Sequence, residues 1–217
     1  YLVKEEKQLM LAMESQDPSV IMKTVQDIIE ACTFNKIKAK NLPTAELELI
    51  FLKLRSKSVG ETSKIGYKCS SCGTLNELSV NLEEVTIDMG EKKVDNKVMV
   101  TDKVGVILKY PTTEEVTRVM NAGEKADIKS IFGLMTACIE TIFDEENTYD
   151  AKNIEKKDIE AFIESLSSVQ FEKIKVFFEG IPKLRKDVSF NCEKCGTHNP
   201  LVLEGLQNFF EELDQKM

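Results

Sequence analysis

A short cysteine motif constrains this chain more than any other feature, because it occurs twice, at residues 67–78 and at residues 190–201. Both copies follow the pattern aromatic-x-Cys-x-x-Cys-Gly-Thr-x-Asn-x-Leu. Beyond these positions the similarity between the two regions fades. Stacked repeat folds need three or more copies of a whole structural unit, so the motif indicates a repeated local device and not a repeated domain.

Each copy of the motif is predicted to form the tip of a β-hairpin. The glycine after the second cysteine, Gly73 or Gly196, allows the positive φ angle that closes a tight turn. Apolar residues alternate with polar ones on both sides of each turn, as they do in half-buried strands. The alternating residues are Ile65, Tyr67, Leu78, Val80 and Leu82 in the first copy and Val188, Phe190, Leu201 and Leu203 in the second.

The four motif cysteines, Cys69, Cys72, Cys192 and Cys195, are the predicted metal ligands. Two residues between cysteines let both thiolates reach one ion, and two such tips supply the closed tetrahedral ligand set of a structural zinc site. The sequence therefore predicts one zinc ion per chain in a site that resembles a zinc ribbon. Iron, which four cysteines also bind, and knuckles without metal remain alternatives. His198 is a weaker candidate ligand and is expected in a surface turn.

A thiol-redox function is the other interpretation of a Cys-x-x-Cys pair. Redox pairs lie at the start of a helix, whose dipole lowers the thiol pKa. Here the residues after each pair alternate like a strand, which disfavours redox chemistry. The remaining cysteines, Cys32 and Cys138, lie on apolar helical stripes and are expected to pack as small core residues. The thiols are expected to stay reduced in the cytosol, because a secreted disulfide scaffold would be shorter and richer in cysteine.

The chain is predicted to have an α+β fold that is mostly helical, with a small antiparallel sheet and the two cysteine hairpins. An N-cap signal at Asp17-Pro18 and a capping box from Thr112 to Glu115 mark two helix starts. Strands are expected at 85–89, 98–101 and 104–110, where they continue the first hairpin as one sheet. Helices are expected at 4–15, 18–32, from 44, from 112, and at 125–143, 156–166, 168–179 and 205–213.

Four parts are expected to follow one another along the chain. They are an N-terminal helical part (1–60), the first knuckle with its sheet (61–110), a second helical part (111–185), and the second knuckle with a C-terminal helix (186–217). A zinc ion shared by the two knuckles would fold the middle of the chain back onto the first half. The four parts are therefore expected to form one cooperative unit.

Charge and composition disfavour several classes of function. The chain has 29 Lys and Arg against 37 Asp and Glu, a net charge of −8, which disfavours charge-driven coating of nucleic acid. A nucleic-acid-binding zinc ribbon stays open as an alternative, because Lys53, Arg55, Lys57 and Lys64 form a basic cluster beside the first knuckle. No apolar run is long enough to span a membrane.

A non-enzymatic protein is predicted, with no catalytic or cofactor-binding residues. The chain has one histidine, and it lacks a glycine-rich phosphate loop and a Gly-x-Ser-x-Gly motif. Residues 144–155 faintly match a calcium-binding loop, but Tyr149 stands where that loop requires glycine. The pair Phe209-Phe210 and the methionine-rich first helix either complete the core or form a partner interface.

Four stretches of the chain together resemble the baseplate hub subunit family of T-even-type contractile-tailed bacteriophages. They are Val3–Ser15, Phe51–Glu61 before the first cysteine pair, Phe177–Leu184 before the second pair, and residues 205–210. They occur in matching order, and the resemblance covers nearly the whole chain. The resemblance also implies residues before Tyr1, because family members carry further residues there.

The resemblance implies a non-enzymatic component of the tail baseplate hub that assembles in the host cytoplasm and is located in the virion tail. The expected partners are other tail and baseplate hub proteins, including the tape-measure protein, and self-association within the assembly is compatible with this role. The alternative is an assembly chaperone for the hub or tape-measure protein that is absent from the mature particle. The resemblance supplies no catalytic residues.

Overall fold

The computed structural model describes residues 1–90, 95–120 and 128–209, and its first helices begin where the sequence signals place them. Helix α1 spans Val3–Glu14 and helix α2 spans Pro18–Cys32. The carboxylate of Asp17 accepts a hydrogen bond of 2.8 Å from the backbone N–H of Ser19, which caps the orphan donors at the start of α2. Helix α3 (Thr44–Ser58) follows Pro43. These three helix predictions are confirmed.

Two helices of the second half, α4 (Thr113–Met120) and α7 (Ser168–Glu179), are capped by side chains at their first residues. Helix α4 begins with the predicted capping box, in which the N–H of Thr112 donates to Glu115 Oε2 at 2.8 Å and the N–H of Glu115 donates to Thr112 Oγ1 at 3.3 Å. Between these two helices lie α5 (Ile128–Cys138) and α6 (Lys156–Glu164).

The helix expected at 125–143 is wrong in its last part. Helix α5 ends at Cys138, and Ile139–Phe143 forms a β-strand instead. The apolar residues continue at helical spacing into this segment, so periodicity alone could not distinguish a helix from a strand here. Pairing with a neighbouring strand decides the outcome, because Ile139, Thr141 and Ile142 are β-branched residues that pack well on a sheet. Residues 121–127 lie outside the described residues.

Within the described residues, the strands form three separate antiparallel sheets. In chain order they are β1 (Thr62–Lys68), β2 (Leu75–Asn81), β3 (Thr86–Asp88), β4 (Lys97–Met99), β5 (Gly105–Leu108), β6 (Ile139–Phe143), β7 (Thr148–Asp150), β8 (Lys183–Asn191) and β9 (His198–Glu204). Strands β1 and β2 pair only with each other, β3 joins β8 and β9, and β4 to β7 form a four-stranded sheet.

The expectation that the first hairpin continues into one sheet with residues 85–110 is therefore wrong. A short 3-10 turn, Leu82–Glu84, ends β2 and redirects the chain. Asn81 caps this turn by accepting a hydrogen bond of 2.9 Å from the N–H of Glu83. Strand β3 pairs with β8 and strand β5 pairs with β6, both much later in the chain, whereas β4 pairs locally with β5.

The buried apolar side chains form two clusters, which we call the first and the second core. The first core contains Leu9, Val25, Ile28, Ile29, Ala39, Leu47, Phe51, Leu52, Ile65, Leu78, Val80, Leu82, Val85, Leu184, Leu203, Leu206 and Phe209. The second core contains Val100, Val106, Leu108, Met135, Ile139, Ile159, Ile163, Ile174 and Phe177. The first core thus draws on both ends of the chain, and the second on its middle. The expectation of one cooperative unit is not tested by these contacts, and the separation into two cores favours unfolding of each core on its own.

Three residues with open expectations lie in or against the apolar interior. Cys138 is fully buried, and burial raises the pKa of its thiol to about 12. Cys32 is half-buried against the first core. Phe209 is fully buried in the first core, so the interface interpretation is wrong for this residue. Its 3-10 turn, Leu206–Phe209, is the described part of the helix expected at 205–213, and Phe210 lies outside the described residues.

No helix in the described part of the chain is both long and apolar enough to cross a membrane.

Candidate metal centre

The two cysteine turns are built from the same backbone hydrogen bonds. In the first turn, between β1 and β2, the N–H of Cys69 donates to the carbonyl of Thr74 at 2.8 Å. In the second, between β8 and β9, the N–H of Cys192 donates to the carbonyl of Thr197 at 2.9 Å. The repeated sequence therefore produces a repeated local structure, and the predicted hairpin tips are confirmed.

The motif glycines close these turns. The N–H of Gly73 donates to the carbonyl of Cys69 at 2.9 Å, and the N–H of Gly196 donates to the carbonyl of Cys192 at 2.8 Å. Both glycines have positive φ angles, 71° and 72°. A side chain is disfavoured in this left-handed conformation, which is the physical reason for glycine after the second cysteine of each pair.

The turns bring the four predicted ligands together across the molecule. All four sulfur atoms lie within 4.8 Å of one another, and two of the separations are 3.6 Å between Cys69 and Cys195 and 3.5 Å between Cys72 and Cys192. The four thiols are free. Sulfur atoms around a tetrahedral zinc ion, at about 2.3 Å from the metal, lie about 3.8 Å apart. The geometry of the four cysteines therefore fits one such ion.

Each hairpin contributes one buried and one exposed cysteine. Cys69 and Cys192, the first cysteine of each pair, are buried, whereas Cys72 and Cys195 are exposed. One side of the sulfur cluster is therefore packed against protein, and the other faces solvent. This arrangement gives an ion a way in while the backbone holds the ligands in place.

Neighbouring polar groups lower the pKa and favour the thiolate form at two of the cysteines, Cys69 and Cys72. The hydroxyl of Thr74 lies 3.3 Å from the sulfur of Cys72, and this hydroxyl together with the backbone N–H of Thr74 lowers the pKa of Cys72 to about 6. Thr197 lies at the matching place beside Cys195, at 3.2 Å. Metal ions bind the thiolate and not the thiol, so such hydrogen bonds assist binding.

The pKa of Cys192 moves in the opposite direction. The backbone N–H of Cys195 lowers it, but burial and the nearby thiols of Cys72 and Cys195 outweigh that effect and raise the pKa. Sulfur atoms at these separations compete for negative charge, because like charges disfavour each other at close range. A bound cation would remove this competition.

Two buried asparagines join the turns to each other, a feature that we call the asparagine latch (Asn76 and Asn199). Asn76 of β2 accepts a hydrogen bond of 2.9 Å from the N–H of Glu193 in the second turn. Asn199 of β9 accepts a hydrogen bond of 2.9 Å from the N–H of Ser70 in the first turn. Each asparagine thus binds the residue that follows the first cysteine of the other pair.

The latch also ties each asparagine to its own turn. Asn76 Nδ2 donates to the carbonyl of Thr74, and Asn199 Nδ2 donates to the carbonyl of Thr197, both at 2.7 Å. Asn199 Nδ2 lies 3.6 Å from the sulfur of Cys69 as well. This role was not predicted from the sequence, although an asparagine occurs at the same place in both copies of the motif.

The other candidate ligand lies away from the sulfur cluster. His198 is exposed, and its Nδ1 lies 3.1 Å from Asn191 Oδ1. This places it on a strand end beside the second turn. The faint calcium-loop pattern belongs to the β6–β7 hairpin, where the carboxylate of Asp144 accepts hydrogen bonds from the N–H groups of Glu146 and Asn147 at 2.8 and 2.7 Å. That carboxylate shapes a turn.

The basic cluster beside the first knuckle is paired with carboxylates. Each of the four residues has an ion pair: Lys53–Glu83 at 3.6 Å, Arg55–Glu6 at 3.2 Å, Lys57–Glu61 at 3.2 Å and Lys64–Glu77 at 2.8 Å. Lysines and arginines that bind nucleic acid must be available to neutralise phosphates. The pairing therefore disfavours a phosphate-binding surface at this place.

Sequence comparisons agree with the resemblance inferred from the motifs. The sequence profile of a family described as "T4 bacteriophage base plate protein" matches residues 1–211. The chain is 27% identical over 214 residues to the "Baseplate hub assembly protein gp26" of Enterobacteria phage T4, which covers 98% of this chain and 91% of that relative. No solved structure shows a significant match. Because the family match extends over nearly the whole sequence, this chain belongs to the T4 bacteriophage base plate protein family.

Proposed function

We propose that this protein acts in the assembly of a phage tail baseplate hub, by binding other baseplate proteins and without enzymatic activity. The observation that carries the proposal is the family match over residues 1–211, together with a relative named as a baseplate hub assembly protein. On this proposal the protein assembles in the host cytoplasm and takes its place in the virion tail. The tape-measure protein and a second copy of this chain are candidate partners.

We further propose that Cys69, Cys72, Cys192 and Cys195 bind one zinc ion per chain, and that this ion is structural. The support is the closeness of four free sulfurs on two turns that lie far apart in the sequence. Four cysteines fill the tetrahedral shell of zinc and leave no open position for a substrate. When bound, zinc would clamp the β1–β2 hairpin to the β8–β9 hairpin. Elemental analysis of purified protein tests this, with iron as the measurable alternative.

Helix α1 supplies the surface that we propose for docking. Its outward face carries Val3, Met10 and Leu11, which are 86%, 59% and 56% exposed, while Leu9 and Ala12 on the opposite face are buried. Three large apolar side chains on one face of a surface helix are typical of a partner site. Phe209 is core, so within the described residues the docking role expected for the terminal helices falls to this face.

Complementation of a phage that lacks this gene tests the docking proposal. Met10→Glu combined with Leu11→Glu places two charges on the α1 face, and we expect loss of assembled baseplates with an unchanged fold. Val176→Glu is the matched control, because Val176 is also exposed on a helix, α7, and at 49% to a similar degree. Equal assembly with both variants would refute docking through α1.

The alternatives make different predictions. Mass spectrometry of purified particles finds a hub component and misses a chaperone that leaves before maturation. A nucleic-acid-binding zinc ribbon predicts binding that weakens steeply with added salt. The ion pairs of the basic cluster make this the weaker alternative.

A further inference from the structure

Phe34, at the end of helix α2, combines two properties that are rarely found together. Its φ angle is 54°, in the left-handed region, and its side chain is 83% exposed. The turn is a Schellman motif, in which the N–H of Asn35 donates to the carbonyl of Glu30 at 2.8 Å and the N–H of Phe34 donates to the carbonyl of Ala31 at 3.2 Å. The residue in the left-handed position of this motif is usually glycine or asparagine.

Nothing within the described fold accounts for a phenylalanine at this position. A bulky residue with positive φ is strained, and such strain persists where function requires the side chain. The ring is not among the residues that pack on either core, so burial does not offset the strain. Replacing Phe34 by glycine would remove both the strain and the exposed apolar surface.

Unpaired positive charge follows Phe34 in the sequence. The side chains of Lys36, Lys38 and Lys40 are exposed, and none of them forms an ion pair with any residue that the structure describes. Lys38 and Lys40 also line a groove of about 620 Å³ between α2 and α4. Other cations of this groove are neutralised, as in the Lys23–Asp27 pair at 2.7 Å. The surface is therefore locally basic on a chain whose net charge is −8.

The segment that carries the lysines is fixed to the protein interior by burial and hydrogen bonding of Ala39. Ala39 is fully buried, its N–H donates to Glu30 Oε1 at 3.0 Å, and its carbonyl accepts a hydrogen bond of 3.0 Å from the hydroxyl of Thr113. Thr113 is itself fully buried at the start of α4. An aromatic side chain on a rigid support binds with little loss of conformational freedom, which is the usual setting of a binding hot spot.

We propose that Phe34 and the three lysines, which we call the Phe34 surface, bind an acidic surface of another baseplate protein, with the ring in an apolar pocket of that partner. The inference rests on the proposed assembly function. Charge complementarity selects an acidic partner. Nucleic acid is a poorer match, because proteins that bind single strands place several aromatic side chains along a basic groove, whereas the Phe34 surface holds one. A membrane is a poorer match, because a single ring buries little apolar area.

Phe34→Gly is the decisive variant, tested by complementation of a phage that lacks this gene and by thermal unfolding of the purified protein. We expect the melting temperature to rise by about 2–4 °C, because glycine relieves the strain, while baseplate assembly falls. Gln16→Gly is the matched control, since Gln16 is exposed and has the same φ of 54°. It should raise the melting temperature similarly and leave assembly intact.

Two further measurements define the partner. Lys36→Glu, Lys38→Glu and Lys40→Glu together should reduce assembly as Phe34→Gly does, whereas the three Lys→Arg changes should not. A photoreactive phenylalanine analogue at position 34 should cross-link to an acidic segment of a baseplate protein, located by mass spectrometry. Cross-links to a second copy, lipid or nucleic acid, or no cross-link, would overturn the proposal.

The outcomes separate this inference from the proposed function. If phage without the gene still assemble baseplates, the assembly function itself is wrong. If they do not, but Phe34→Gly restores assembly fully, the Phe34 surface is not a docking site. A fall in melting temperature with Phe34→Gly would show that the ring is structural, and this too overturns the inference.

Discussion

The two cores differ in the sequence separation of their members and in the contacts that hold those members together. The first core brings residues 9–85 together with residues 184–209, whereas the second is built within residues 98–178. The second relies on apolar packing, with Tyr110 stacked on Phe177 at 5.5 Å and Phe132 on Phe171 at 5.2 Å between ring centroids. Closing a long loop costs more entropy than closing a short one.

Additional contacts are found where the entropy cost of loop closure is largest, between the two ends of the chain. In the part of the chain that the structure describes, the four-cysteine cluster and the asparagine latch both connect the β1–β2 hairpin to the β8–β9 hairpin. The second core holds no such cluster among its described residues. The distant join therefore combines apolar packing with directional polar contacts between the two hairpins.

Loss of the four-cysteine cluster should change the relative stability of the two cores more than any other substitution. Cys69→Ser with Cys192→Ser removes two buried ligands, and structural zinc binding is worth on the order of 10 kcal/mol in small peptides. We expect the amides of β1, β2, β8 and β9 to lose protection from hydrogen exchange. Those of β5 and α7, in the second core, should keep it. Added chelator should reproduce the pattern in the unaltered protein.

Uniform loss of protection across both cores would instead show one cooperative unit. That outcome would keep the zinc proposal and remove the distinction between the cores. Unchanged protection after removal of the metal would refute a structural role for the ion.

Breaking the asparagine latch should have a smaller, measurable effect. Asn76→Ala leaves the N–H of Glu193 without its acceptor, and Asn199→Ala does the same to the N–H of Ser70, so each should cost about 1–3 kcal/mol of stability. Metal content should stay at one ion per chain, with a lower affinity. Asn208→Ala is the control, because its hydrogen bond to the Glu204 carbonyl is exposed.

The two latch variants also measure whether the hairpins dock as a unit. Their effects should be less than additive when combined, since either change alone loosens the same pair of turns. Full additivity would mean that each asparagine only shapes its own turn. Loss of the metal with either variant would mean that the latch, and not the cysteines alone, positions the ligands.

The closeness of the four cysteines could be predicted because its signal is local and repeated. The spacing of Cys69 and Cys72, followed by Gly73, specifies a tight turn within a few residues. The latch could not be predicted in the same way. Asn76 finds its partner at Glu193, and no local pattern identifies a residue so distant in the sequence.

Strand β6 shows the converse limit. Ile139 and Ile142 continue the helical spacing of α5, so the sequence favours a helix up to the point where pairing with β5 overrides it. Phe209 shows a third limit, because an aromatic residue near a charged terminus looks the same in a sequence whether it is buried or exposed. The first-core packing and the hydrogen bond from the Ser63 hydroxyl to its carbonyl, at 2.7 Å, decide that question.

The two remaining cysteines, one fully buried and one half-buried, offer a test with an intermediate effect. Cys138→Ser buries a hydroxyl at a fully buried position and should cost about 1–3 kcal/mol. Cys32→Ser, at a half-buried position on the first core, should cost less. Neither should change the metal content. Loss of metal in folded Cys138→Ser protein would contradict its assignment as a packing residue.

The smallest expected effect concerns Glu48. This residue binds the backbone just after the end of β9, whereas the cysteine turn lies before the start of β9. Its Oε1 accepts a hydrogen bond of 3.1 Å from the N–H of Leu206. Burial raises the pKa of Glu48 from 4.5 to about 7, the hydrogen bond from Leu206 opposes the rise, and the carboxylate of Glu204 adds to it. The native state therefore binds this proton more tightly than the unfolded state does.

This pKa shift fixes the sign of a pH dependence. Between about pH 4.5 and pH 7 the native state carries more protons at this group, so its contribution to the free energy of unfolding falls as pH rises, and it is constant above that window. Glu48→Gln keeps an acceptor for Leu206 and removes the titration. The variant should gain on the order of 1–2 kcal/mol over the unaltered protein between pH 5 and pH 8. Glu46→Gln, at an exposed position of α3, is the control and should follow the unaltered protein. Parallel curves of unfolding free energy against pH for Glu48→Gln and the unaltered protein would contradict the prediction. The polar contacts that measurably stabilise the first core would then be those at the cysteine turns.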